Sequence, residues 1–157
     1  MSDGKTKSPS ASDRPRGRAR HHWCRTVGAW GLFVWLSGGI VLEGLNGFKL
    51  AHYLEDGMRR DLWTLAHAHG TLLSLACLVL AWAGPLQSLE ERRAHWSDRC
   101  FAAGAVLLPV GFLLGGAWHS EADPGIGILL VPAGGLLAAA GLWPLLKFTR
   151  PPAGGSP

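Results

Sequence analysis

Four uninterrupted apolar stretches constrain this chain more than anything else in it. They cover residues 26–45, 62–83, 101–118 and 126–146, each 18–22 residues long. At about 1.5 Å rise per residue such stretches span roughly 27–33 Å, the thickness of the hydrocarbon core of a bilayer. No water is available there, so each segment must satisfy its own backbone N–H and C=O groups, which selects helices. The expected fold is therefore all-α: an integral membrane four-helix bundle formed by residues 26–148. A basic tail precedes it (1–25) and a short tail follows (149–157). A chain of 157 residues leaves no room for a soluble catalytic domain beside the bundle. Only 17% of residues are charged, against about 25% in soluble domains.

The tail over residues 1–22 is rich in Ser, Pro and Arg and buries too little to order itself, so it is expected to be flexible. It does not resemble a cleavable signal peptide, because the apolar run after it is too long and no A-x-A-like site closes it. Direction follows from Lys and Arg. The 1–25, 84–100 and 147–157 segments carry 12 of the 15, and the 46–61 and 119–125 segments carry three. By the positive-inside rule both termini face the cytoplasm, which makes the chain a multi-pass inner-membrane protein if its host is bacterial. A basic tail in that position touches anionic lipid; a nucleic-acid partner is the poorer reading. Trp23, Trp63, Trp96, Trp118 and Trp143 fall near span ends, as an interfacial aromatic belt requires.

The spans are marked by small residues. Gly104, Gly111 and Gly115 in the third, and Gly127, Gly134 and Gly141 in the fourth, recur at steps of seven and four. Such stripes let helix backbones approach closely, within the bundle or between copies of a homo-oligomer. Pro109, Pro132 and Pro144 inside spans predict kinks. Cys24, Cys77 and Cys100 form neither a disulfide framework nor a CxxC pair, and Cys77 reads as a packing residue. Glu90-Glu91-Arg92-Arg93 reads as a solvated helical turn.

The chemistry-bearing residues gather at the outer face. His52 lies in the first outer loop, His67 and His69 near the outer end of the second span, and His119 at the outer end of the third. Glu43 and Asn46 close the first span; Glu121 and Asp123 lie in the second outer loop. His21, His22 and His95 sit in solvated segments on the basic side. An ionisable group inside a span needs a partner or a function. His67, Gly70, Thr71, Ser74 and Cys77 share one helical stripe, so His67 is expected to face the bundle interior. His69 stands about 200° away, toward lipid or a neighbouring subunit, and the two cannot bind one metal on a regular helix. A site between Glu43 and His67, with His119 above it, is one arrangement this spacing allows. It could hold haem through a neutral imidazole, hold a transition metal or relay protons, or simply lock helices by hydrogen bonds. No phosphate loop, GxSxG or HExxH motif is present.

The segment Leu65-Ala66-His67-Ala68-His69-Gly70 resembles the start of helix two in small four-helix membrane isomerases, the styrene-oxide isomerases and the related hydroxylaminobenzene mutases. Gly104-Ala105-Val106-Leu107-Leu108 and Asp123-Pro124-Gly125-Ile126 are similar to the start of their third helix and the approach to their fourth. The resemblance extends over about residues 26–148. It implies haem b bound by His67 or His69, between subunits of an oligomer; Asn46 is a cofactor-binding candidate from its own place, on the polar stripe of Gly39, Glu43, Asn46 and Gly47 along the first span. The resemblance also implies isomerase or redox chemistry on a small lipophilic substrate; in such an enzyme Glu43 and His119, from their place at the same end of the spans, would be the acid/base or hydrogen-bonding groups. The third span carries neither the Asp nor the Tyr, and the second no Asn, of the polar set that the epoxide isomerases place around their substrate. Two further readings stand beside this one. One is a non-catalytic membrane subunit whose polar cluster is structural; the other is a metal- or proton-handling protein using His52, His67, His119 and Glu43.

Overall fold

The computed structural model describes residues 22–82, 89–120 and 123–146, and of His52 the backbone only. The expected flexible tail through His21, residues 83–88, Glu121 and Ala122, and the C-terminal tail lie outside the described residues. Helix α1 runs His22–Gly47, a short α2 Ala51–Leu54, α3 Gly57–Trp82, α4 Glu91–Ala117 and α5 Leu130–Leu146, the last led in by a 3-10 turn at Ile126–Leu129. No strand occurs among the described residues. Four helical segments are long and apolar enough to cross a membrane, the 3-10 turn and α5 together making the fourth.

The helices outrun the apolar stretches mainly on the polar side. Helix α4 begins ten residues before its apolar run, at Glu91, where Glu90 lies 3.7 Å from Arg93 and Glu91 lies 3.8 Å from His95. These one-turn charge pairs support a helical extension that hydropathy alone does not reveal. Helix α1 ends in a Schellman turn: the Leu50 N–H donates to the Leu45 carbonyl (3.2 Å) and the Lys49 N–H to the Asn46 carbonyl (3.1 Å), with Lys49 left-handed at φ 51°. Helix α4 continues through Pro109 and α5 through Pro144. Pro132 falls in the first turn of α5, where a missing N–H is tolerated.

Helix α4 is central: α3 and α1 pack on one side of it and α5 on the other. The glycine stripes make the α4–α5 seam. A Cβ on Gly104 would overlap the Gly134 carbonyl and the Ala138 backbone; one on Gly134 would overlap the Leu108 backbone, and one on Gly141 that of Phe101. The stripe is therefore consumed inside the chain, by backbone-to-backbone packing. On the α1–α3 seam the glycines make room mainly for side chains: Gly28 for Leu78, Gly31 for Ser74 and Gly70 for the Trp35 indole.

Large apolar side chains cover the outside. Ile40 is 75% exposed, Trp82 79%, Leu72 63% and Leu136 73%. A surface so apolar is compatible with lipid and not with water. The fully buried residues are small or polar instead: Cys24, Cys77, Ser74, Ser97 and Asp98.

Candidate functional site

The end of the bundle where α3 begins, expected to be the outer one, is organised by Asp56, which precedes α3. Its Oδ1 accepts the Arg59 N–H (2.9 Å), an N-cap of the usual geometry. Its Oδ2 accepts from His119 Nε2 at 2.8 Å and lies 3.4 Å from Arg59 Nη2. Arg59 Nε donates to the Gly116 carbonyl (3.3 Å), and its guanidinium stands 5.9 Å from the Trp63 ring. Trp63 Nε1 donates to the Leu113 carbonyl (3.2 Å), and the buried Tyr53 of α2 stacks on Trp63 at 6.2 Å. Together these ties latch the first outer loop and the start of α3 onto the end of α4. The Arg59 backbone N–H first, then His119 and the Arg59 guanidinium, hold the Asp56 carboxyl below its ordinary value.

His119 is fully engaged in this latch, since its Nδ1 also faces the Ser120 carbonyl at 3.1 Å. His67 points, as the stripe requires, into the α1–α3 interface. Its Nδ1 donates to the Trp35 carbonyl at 2.7 Å, and its ring lies so close to Gly39 that a Cβ there would overlap it. His69 sits on the other side of α3, half-buried against Phe112 of α4, ring centroids 5.2 Å apart. Its Nδ1 donates to the Leu65 carbonyl of its own helix at 2.9 Å. In both residues a carbonyl partner requires the proton on Nδ1 and leaves the lone pair on Nε2. Neither Nε2 has a hydrogen-bond partner among the described residues; in His67 the ring that carries it is packed against Gly39 of α1.

Glu43, Asn46 and Asp123 are exposed, and the Glu43 and Asn46 side chains make no hydrogen bond or ion pair among the described residues. The structure records no contact from Glu43 to His67, and His119 turns to Asp56 instead. The side chain of His52 lies outside the described residues. Among those described, no three His, Cys, Asp or Glu side chains gather as a metal-binding group. A multidentate metal centre from Glu43, His67 and His119 is thus not assembled here. What remains available is a single imidazole nitrogen on His69.

Two carboxylates matter that hydropathy and histidine spacing did not pick out. Asp56 carries a legible signal, an Asp three residues before Arg59 at a helix start. Asp98 carries less. Only 1% exposed, it sits at the basic end, its Oδ1 accepting the Cys24 N–H (3.0 Å) and its Oδ2 the Trp23 N–H (3.1 Å). It caps α1 from 74 residues away. The Cys24 thiol donates to the Asp98 carbonyl (3.4 Å) and lies beside the Cys77 thiol, while the Ser97 hydroxyl donates to the Gly141 carbonyl of α5.

The chain is a multi-pass membrane protein with a helix-locking polar network at each end. No protein-family model matches it, and no curated protein and no solved structure is significantly similar to it.

Proposed function

We propose that the chain is an inner-membrane haem protein in which His69 ligates haem b near the outer face, as a homo-oligomer acting on a small lipophilic molecule. The observation that carries this reading is the free Nε2 of His69. Its tautomer is set by the Leu65 carbonyl, and its ring is steadied by Phe112 at the rim of the α3–α4 seam. A backbone carbonyl holding the opposite ring nitrogen is the usual support of a ligating histidine. The resemblance at Ala66-His67-Ala68-His69-Gly70 admits either histidine, so the choice between them rests on what each ring touches. His67 is the weaker choice because its ring is spent on packing α3 against Gly39 and Trp35 of α1.

Leu65 and Leu72 flank His69 on the exposed side of α3, 39% and 63% exposed, and offer a planar apolar ligand a surface to lie on. Bound there, haem would supply a Lewis-acidic or redox-active iron. The chain's own contribution is to orient His69, exclude water with that apolar flank, and offer the unpaired Glu43 carboxylate as a proton acceptor at the same face. His119 and Arg59 position the outer loop through Asp56.

An absorbance spectrum of protein purified in detergent from haem-replete cells tests this. A Soret band lost in His69→Ala and kept in His67→Ala supports it. A colourless wild type refutes haem, and a band lost only in His67→Ala refutes the choice of ligand. The reading as a non-catalytic membrane subunit is favoured by one specific observation: His119 spends both ring nitrogens, and His67 its Nδ1, on holding the fold. It predicts a colourless protein whose stability falls on losing either of these two, and not on losing His69.

A further inference from the structure

Because α5 packs on α4 and α1 approaches α4 from the other side, a strip of α4 between them stays uncovered at the basic end. There α1 and α4 enclose a groove of about 530 Å³, lined by Trp23 and Val27 of α1 and by Arg99, Ala102, Ala103 and Val106 of α4. The volume is in the range of ordinary small-molecule sites. Its polarity is graded along the helix axis. Arg99 is at the mouth, just before the apolar run of α4 begins, and Val106 lies seven residues deeper, about 10 Å at 1.5 Å per residue. The two alanines are what keep the wall hollow.

We infer that this groove binds one anionic glycerophospholipid, its phosphate on Arg99 and one acyl chain along Val27, Ala102, Ala103 and Val106. Charge complementarity selects the occupant. Arg99 is exposed and has no hydrogen-bond or ion-pair partner among the described residues. The neighbouring Asp98, its natural counter-charge, is turned inward and fully committed to the Trp23 and Cys24 amides. An unneutralised guanidinium at the polar edge of an apolar groove suits a phosphate that carries its own hydrocarbon. Arginine adds a planar fork of donors that matches phosphate oxygens. Basic pockets between transmembrane helices on the Lys/Arg-rich side are where anionic headgroups are held. Trp23, opposite, supplies the interfacial ring that packs beside a headgroup.

Native mass spectrometry of the detergent-purified full chain, offered equal amounts of dioleoyl phosphatidylglycerol and dioleoyl phosphatidylcholine, tests the inference. The wild type should retain one phosphatidylglycerol with about five-fold preference, the attraction typical of one basic side chain near an anionic headgroup. Arg99→Gln should abolish the preference, while Arg92→Gln, an exposed charge at the same end outside the groove, should leave it unchanged. Ala103→Phe, which fills the hollow from its exposed side, should reduce retention of both lipids. Millimolar inorganic phosphate should not compete. The inference is overturned if the wild type shows no preference, if Arg92→Gln loses as much as Arg99→Gln, or if free phosphate displaces the lipid. It is equally overturned if Ala103→Phe shifts the oligomer mass without changing lipid retention, which would make the groove a seat for a second copy. Circular dichroism of each variant confirms that the helices are intact, since all three sites are exposed.

Discussion

Asp98→Ala is the substitution with the most to reveal, because it removes a buried carboxylate that serves a helix far away in sequence. Two amides at the start of α1, Trp23 and Cys24, lose acceptors at 3.1 and 3.0 Å. A buried donor left unmade costs about 1–3 kcal/mol, and a negative charge at a helix N-terminus adds up to about 1 kcal/mol. Against this stands relief from burying the carboxylate itself, a cost of several kcal/mol before its hydrogen bonds are counted. The balance is a destabilisation of about 3 kcal/mol. At about 2–4 °C per kcal/mol for a chain of this size, the midpoint should fall by roughly 6–12 °C. Asp98→Asn keeps the shape and one carbonyl oxygen but turns an NH₂ toward an N–H, so about half that loss is expected. Asp61→Asn is the control: that side chain is 76% exposed and 4.0 Å from Arg60, and its loss should be silent. Thermal unfolding in detergent gives the ranking, and hydrogen exchange should speed up at the Trp23 and Cys24 amides without change in α5. A midpoint within 2 °C of wild type for Asp98→Ala, or an Asn variant worse than the Ala variant, would refute the capping argument.

Four other outcomes follow from the same structure. Gly104→Ala should cost about 2–3 kcal/mol by driving a Cβ into the α5 backbone. Gly38→Ala, which meets open space, should be neutral or stabilising by up to about 1 kcal/mol, and paired thermal melts separate the two. Lys49→Gly should add about 1 kcal/mol by relieving a left-handed backbone that a Cβ disfavours, read as a raised unfolding midpoint. His67→Ala should cost about 2 kcal/mol through lost packing and the Trp35 hydrogen bond while His69→Ala costs little, in the same melts. Because Asp56 is lowered from its ordinary 3.8, its contribution is complete above that value and is lost as pH falls through the lower folded value. Stability measured from pH 6 down to pH 3 should therefore drop more steeply in the wild type than in Asp56→Asn.

The spans were legible in the sequence because lipid imposes one rule on every residue of a segment, and a rule applied twenty times over leaves a loud pattern. The glycine stripes were legible for a related reason: Gly104 and Gly111 on α4, and Gly134 and Gly141 on α5, recur at steps of seven because they line one seam between two helices. The side to which His67 points also followed from its stripe. What did not follow was each polar residue's partner. Glu43, His67 and His119 share an end of the bundle, and placement by end brings them within one face but not into contact. His119 pairs with Asp56 because a helix-capping carboxylate lies at the start of α3, next to the end of α4. Asp98 escaped attention because its partners are backbone amides, which no residue-type pattern advertises.

The partners also sort the intramembrane polar groups by purpose. Asp98 reaches the α1 amides, Ser97 the Gly141 carbonyl of α5, His67 the Trp35 carbonyl of α1, and Trp63 the Leu113 carbonyl of α4. Each crosses to another helix, so each is explained by holding two helices together where lipid offers no other partner. His69 differs, as does Thr64, whose hydroxyl donates to the Arg60 carbonyl one turn back. The His69 hydrogen bond returns to Leu65 on its own helix and fastens nothing else, and Phe112 would pack as well against a leucine. An imidazole at membrane depth that does not serve the fold is costly to keep. A ligand for its free nitrogen removes that cost, which is why the proposal rests on His69 although His67 is the better placed of the two for holding the bundle.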